Sequence, residues 1–181
     1  MLSSERLLLR QVEYEDLNEN YLRWVNDAEV VRYTDIRFQR QSKDTIYKYW
    51  KEYKDSKNDH WFAICVASQN KHIGNIKLGP VNYLHQTGEL SLIIGEKCFW
   101  GKGYATESIK LISSWAFSSL KLYKLSSTIY RENVASKKVF EKAGFRCEGI
   151  LKEQAQLNHT KRTDLYKMGL VKKQWENQNQ W

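Results

Sequence analysis

The sequence predicts an α/β protein of the α+β kind, a mixed and mostly antiparallel sheet of about seven strands flanked by about four helices. Three observations lead there. Segments with strand character outnumber segments with helical periodicity. Several of those strands are separated by only a few turn-forming residues, so they pair as hairpins rather than through crossover helices. One short apolar run, residues 90–94, passes through two glycines into an amphipathic helix, which marks a central strand and the turn beside it.

Taken in order, residues 6–12 place Leu7 and Leu9 on one side and open the chain as a strand. Residues 14–27 carry Leu17, Tyr21, Trp24 and Val25 at helical steps. Ser42 is a candidate N-cap for a helix over 43–57, with Ile46, Tyr49, Trp50 and Tyr53 inside. Residues 61–67 and 71–78 read as two strands joined by Ser68-Gln69-Asn70, and Gly79-Pro80 ends the second. Residues 88–94 form the central strand. The helix after it shows Ala105, Ile109, Ile112, Ala116 and Leu120 on one face. Residues 124–130 alternate through Leu125, Ser127 and Ile129 as a strand. Asn133 caps a helix that turns Val139, Phe140 and Ala143 inward and stops at Gly144. Strands over 146–157 and 163–171 follow, with 158–161 as their turn. Residues 1–175 read as a single domain and 176–181 as a polar, fraying tail.

The stretch Trp100-Gly101-Lys102-Gly103-Tyr104-Ala105 is the chemically informative one. Its glycines let the backbone bend tightly, and the following helix directs unpaired N–H groups and its positive dipole end at the turn. That combination is an anion site suited to phosphate. It is neither a P-loop, which requires Gly-x-x-x-x-Gly-Lys-Ser/Thr, nor a full Gly-x-Gly-x-x-Gly, because position 106 is Thr.

Bulk properties narrow the function classes. The 181 residues contain 41% hydrophobic residues, enough for one well-formed core. No apolar run approaches the roughly 18 residues of a membrane helix, and residues 1–6 lack the layout of an export signal. Three scattered cysteines, Cys65, Cys98 and Cys147, contain no Cys-x-x-Cys and are expected as reduced thiols in a cytoplasmic protein. The four histidines show no metal-ligand spacing, so no metal is expected. The net charge of +8 is spread along the chain without a long cluster. A solvated lysine-rich surface is therefore expected rather than a nucleic-acid interface, with part of the charge available to an acidic substrate or cofactor phosphates.

The glycine turn resembles the pyrophosphate-binding motif of the GNAT superfamily of N-acetyltransferases, Gln/Arg-x-x-Gly-x-Gly/Ala. Gly103 and Ala105 fill its last two places, and Trp100 stands where Gln or Arg is usual. Downstream, Asn133 with Ser136, followed by Glu141-Lys142-Ala143-Gly144-Phe145, is similar to the superfamily's second signature. Trp24, Asn26, Asp27, Glu29, Val30 and Tyr33 are similar to a segment of the subgroup that contains ribosomal-protein N-terminal (Rim-type) and amino-sugar acetyltransferases, where it helps shape the acceptor pocket.

The resemblance implies the GNAT fold, with strands 88–94 and 124–130 splaying apart and acetyl-CoA lying in the resulting V. It places the pyrophosphate on the turn formed by Trp100, Gly101, Lys102, Gly103, Tyr104, Ala105 and Thr106, mainly on backbone N–H groups. It places the pantetheine arm along Leu92, Ile93 and Ile94, with a backbone N–H of that strand as oxyanion donor. Asn133 would bond the pantetheine region, a role compatible with capping. Glu89 stands where many members place a general base, though a glutamate at a strand edge is equally at home in solvent. The tyrosine that many members use to protonate the thiolate is replaced by Phe140. Ser136, Tyr130 and water remain as alternatives for that proton.

The function implied is transfer of acetyl from acetyl-CoA to a primary amine by direct attack in a ternary complex. The favoured acceptor is a small amine such as an amino-sugar nucleotide, because residues 72–80 look like those of subgroup members from glycan gene clusters and a basic surface suits a diphosphate. A protein N-terminus and a non-catalytic CoA-binding module are the alternatives. A sheet edge near the C-terminus could pair in a homodimer.

Overall fold

A computed structural model describes residues 1–178. It contains a single eight-stranded sheet in the order β1-β2-β3-β4-β5-β6-β8-β7. The strands are β1 Leu2–Ser3, β2 Leu7–Gln11, β3 His60–Val66, β4 Lys71–Leu78, β5 Thr87–Ile94, β6 Lys124–Tyr130, β7 Arg146–Gln156 and β8 Arg162–Val171. The helices are α1 Glu19–Asn26, α2 Lys43–Tyr53, α3 Tyr104–Ser118, α4 Val134–Lys142 and α5 Lys172–Gln178. Every neighbouring pair is antiparallel except β5 with β6. The extra strand, β1, has two residues and is too short to show periodicity. Residues 176–178 of the expected tail continue α5, which Trp175 anchors by packing on Phe117 with ring centroids 5.4 Å apart. Residues 179–181 lie outside the described residues.

The sheet separates two apolar layers. On one face α3 and α4 pack with Leu7, Ile76, Leu90, Leu125 and Met168, and Ile109, Ile112, Ala116, Phe117 and Phe140 supply the helical side. On the other face α1 and α2 cover Ala63 and Cys65 with Tyr21, Trp24, Val25 and Ile46. Both layers follow from period-2 strands meeting period-3.6 helices.

Two helix boundaries differ from the periodicity. The stretch over 14–27 divides, because Asp16 reaches back to accept from the Glu13 N–H at 2.8 Å and closes a 3-10 turn. Asn18 then caps α1 by accepting from the Asn20 and Tyr21 N–H groups. At α2, Ser42 and Thr45 form the reciprocal cap. The helix stops at Tyr53 rather than 57, since the Ser56 hydroxyl accepts from the Asn58 and Asp59 N–H groups and offers the backbone a competing turn. No helix among the described residues is long and apolar enough to cross a membrane.

Candidate active site

The site begins where β5 and β6 part. They pair only over Thr87–Glu89 with Lys124–Ser126. One step further the Ser127 hydroxyl still donates to the Leu90 carbonyl at 2.8 Å. Beyond that, Leu92, Ile93 and Ile94 keep their partners on β4, while residues 128–130 pair only with β8. Beyond Leu90 one edge of β5 therefore has no strand partner and is open to an added extended chain as far as Ile94, whose carbonyl is taken by the Trp100 indole.

At the end of β5 the chain enters the glycine turn. Gly101 has φ +72° and Gly103 φ +86°, the left-handed region that glycine adopts without strain. Gly103 is the N-cap of the 15-residue α3 and offers no side chain to its first-turn N–H groups. Those donors and the helix dipole are thus free for an anion. The Trp100 indole N–H donates to the Ile94 carbonyl at 2.7 Å, pinning the turn to the strand. Lys102 lies over the Phe99 ring, its Nζ 5.7 Å from the centroid, and Tyr104 meets the edge of the same ring. Ala105 and Thr106 continue the first turn of α3.

Arg6 buttresses this turn from β2's approach. It donates to the Lys102 carbonyl at 3.2 Å and to Glu107 at 2.8 Å, and its guanidinium covers the Tyr104 ring at 4.7 Å. Ser4 adds a bond to Glu107 at 2.7 Å. Burial opposes ionisation of Glu107, but Ser4 and Arg6 outweigh it and hold the carboxyl below its usual range. Nothing local in the sequence signals this contact, because its partners are about a hundred residues apart.

A cavity of about 940 Å³ opens against the parted strands. Ser91, Leu92 and Ile93 of β5, Thr128 and Tyr130 of β6, and Asn75 and Lys77 of β4 form its floor. The segment 33–36 after α1 and residues 154–156 of β7 form its rim. The Tyr130 hydroxyl donates to Asp35 at 3.0 Å and so ties floor to rim. Burial, reinforced by Asp35, pushes the Tyr130 phenol above its ordinary range and keeps it protonated at neutral pH.

Asn75 is 4% exposed, and its carboxamide N and O both lack a hydrogen-bond partner among the described residues. His72 is near it but outside bonding geometry. An unpaired buried amide costs about 1–3 kcal/mol, and Asn75 belongs to the lining of the cavity. The sequence reading missed Asn75; a polar Asn within the otherwise apolar run of β4 is the signal that could have found it.

The remaining expected residues fall at two ends. Asn133 caps α4, its side-chain oxygen accepting from the Ser136 N–H at 3.1 Å. Ser136 is half-buried in the first turn of α4, and its hydroxyl has no hydrogen-bond partner among the described residues. Glu89 sits apart, at the closed end of the V and paired in register with Ser126. It accepts from Thr128 at 2.7 Å and from Lys167 at 3.1 Å, and it meets the cavity only through Thr128. Among the described residues no cluster of three His, Cys, Asp or Glu side chains is arranged to hold a metal.

Comparison with known proteins agrees with this geometry. Residues 6–146 match the acetyltransferase (GNAT) domain. The spermidine N(1)-acetyltransferase of Escherichia coli K12 is 30% identical over 159 residues, covering 87% of this chain and 82% of that protein. The probable N-acetyltransferase YjcK of Bacillus subtilis is 27% identical over 165 residues, covering 87% and 90%. The crystal structure of Vibrio cholerae spermidine N-acetyltransferase in complex with CoA and spermine superposes with a TM-score of 0.84 at 25% identity, covering 95% of this chain and 99% of that one. With the open β5 edge beside a double-glycine turn, these likenesses settle the family: the chain belongs to the GNAT acetyltransferases and is an N-acetyltransferase.

Proposed function

We propose that the protein transfers the acetyl group of acetyl-CoA to the primary amine of a small molecule by direct attack in a ternary complex. The observation that carries this reading is the parting of β5 and β6 next to the uncapped N-terminus of α3. The thioester supplies the electrophilic carbonyl; the amine nitrogen bonds to it and gives up a proton, the C–S bond breaks, and the thiolate takes a proton. The turn from Trp100 to Thr106 holds the pyrophosphate on backbone N–H groups, with Lys102 adding charge. Leu92, Ile93 and Ile94 present backbone groups to the pantetheine arm, and one N–H among them serves the oxyanion. Asn133 bonds that arm as well as capping α4.

Glu89 is the proposed base, reaching the amine through the Thr128 hydroxyl that donates to it. The proton for the thiolate comes in this reading from Tyr130, a protonated phenol in the cavity lining, from Ser136 in the first turn of α4, or from water. Asn75 is assigned to the acceptor, whose polar groups would pair its carboxamide. The acceptor class we favour is an amino-sugar nucleotide, because Lys77 and Arg162 line the cavity beside one lining carboxylate, Asp35, although Lys77 also pairs with Asp59 at 3.6 Å. A protein N-terminus is the second reading, carried by the likeness to the Rim-type subgroup. We place the protein in the cytoplasm, where Cys65, Cys98 and Cys147, free thiols in the structure, would stay reduced. Edge strand β7 is the proposed surface for a homodimer.

The test is release of free CoA thiol from acetyl-CoA with amino-sugar nucleotides, N-terminal peptides, polyamines and aminoglycosides. Turnover with one class identifies the acceptor. Saturable acetyl-CoA binding without turnover on any of them would overturn the enzymatic reading in favour of a CoA-binding module.

A further inference from the structure

A second cavity, of about 740 Å³, adjoins the first and shares Val25, Tyr33 and Ile36 with it. Three arginines from one short segment, Arg32, Arg37 and Arg40, line it against one carboxylate, Glu132. Glu132 is oriented by the Thr163 hydroxyl, whose single proton is shared between its two oxygens at 2.9 and 2.8 Å, and its one negative charge stands against three guanidinium groups. Arg6, Arg10, Arg23 and Arg131 each form an ion pair; among the described residues Arg32, Arg37 and Arg40 form none.

Arg37 is held in place without being neutralised. It donates to the Thr34 carbonyl at 3.0 Å and to the Gln156 carbonyl at 2.6 Å, which bridges the segment after α1 to the end of β7. Its guanidinium also lies 4.8 Å from the Tyr130 ring centroid, at the boundary between the two cavities. In the acceptor cavity itself, Arg162 donates among the described residues to the Glu153 and Gln154 carbonyls, at 2.7 and 3.1 Å. Guanidinium groups recognise phosphate and carboxylate through paired N–H donors, and several unpaired ones around one concavity favour an oxyanion. The same charges repel a polycation.

We propose that the arginine-lined cavity binds an oxyanion carried by the amine acceptor, so that the acceptor is an amine with an anionic body. The inference rests on the acetyl-transfer reading, and its test separates the two. Arg32 and Arg40 are exposed, so the double substitution Arg32→Gln/Arg40→Gln leaves the core untouched; Arg40→Glu alone is the second variant. The amine panel is glucosamine, its phosphate ester, muramic acid and spermidine, with acetyl-CoA saturating.

The expected result is a KM for an anionic amine at least ~10-fold below that for glucosamine, with the advantage lost in the variants and reduced by salt. Preference for the phosphate ester identifies phosphate as the recognised group, and preference for muramic acid identifies carboxylate. Preference for spermidine, or an anionic preference that survives in both variants, overturns the proposal. Calorimetric titration of CoA-saturated protein with the phosphate ester gives the independent readout. Binding that the double variant loses, without acetylation of any amine, upholds the oxyanion site and removes the acetyl-transfer reading. Acetylation indifferent to acceptor charge does the reverse.

Discussion

The Tyr130 hydroxyl donates to Asp35 at 3.0 Å, joining the last residue of β6 to the segment that follows α1 across the cavity beside the parted strands. The bond orients a protonated phenol in the cavity that Leu92 and Ile93 also line. It also makes the cavity rim depend on a residue of its floor.

Tyr130→Phe is expected to lower kcat by ~10–100-fold with acetyl-CoA affinity unchanged if the phenol protonates the leaving thiolate. Ser136→Ala is expected to lower turnover by ~10-fold, again without change in acetyl-CoA affinity, if its hydroxyl donates to the sulfur. Steady-state kinetics beside acetyl-CoA titration of each variant assigns the proton. A residue whose loss leaves kcat untouched has no part in the step.

Glu89→Gln is expected to flatten the acidic limb of the pH–rate profile, with kcat reduced by ~100-fold near neutrality. Thr128→Val should reproduce most of that loss, because Thr128 is the contact through which Glu89 meets the cavity. A profile identical to wild type in Glu89→Gln removes Glu89 as base and leaves it as the ion-pair partner of Lys167.

Asn75→Leu should separate stability from function. It removes an unpaired buried carboxamide, so urea denaturation is expected to show equal or greater stability, by up to ~1 kcal/mol. Acceptor KM should rise by ~10-fold. A destabilised variant with unchanged KM would mean that the carboxamide is satisfied within the fold.

Asp16→Asn is expected to destabilise the protein by about 2–3 kcal/mol. Asp16 is buried and accepts from Arg10 at 2.6 and 2.7 Å. Burial disfavours its charge, yet Arg10 and the Glu13 N–H outweigh that and hold its carboxyl below the ordinary range. A depressed folded value means that this stability is fully present above the unfolded carboxylate value of ~3.9 and is lost as pH falls through the folded value. Thermal unfolding across acidic pH should therefore show a shallower decline in the variant than in wild type.

Much of this architecture was legible residue by residue. Strands β4 and β6 coincide with their sequence readings, as do the Ser42 and Asn133 caps, because alternation, capping and turn chemistry act over a few residues. The glycines at 101 and 103 likewise announced a tight turn before α3, which the structure builds with both in the left-handed region. The split before α1 and the early end of α2 escaped periodicity, since a side chain competing for backbone donors interrupts a helix without altering its apolar pattern.

Local chemistry alone determined the layered sheet, the glycine turn before α3 and the residues that begin α4. Only the tertiary structure decided which side chains meet. It set Arg6 behind the turn, Asp35 on Tyr130, Glu89 at the closed end of the V and, around one cavity, three arginines that form no ion pair among the described residues. The physical reason is range. Propensity and periodicity act between neighbours, whereas these contacts join residues far apart in sequence, and strand order and register bring them together.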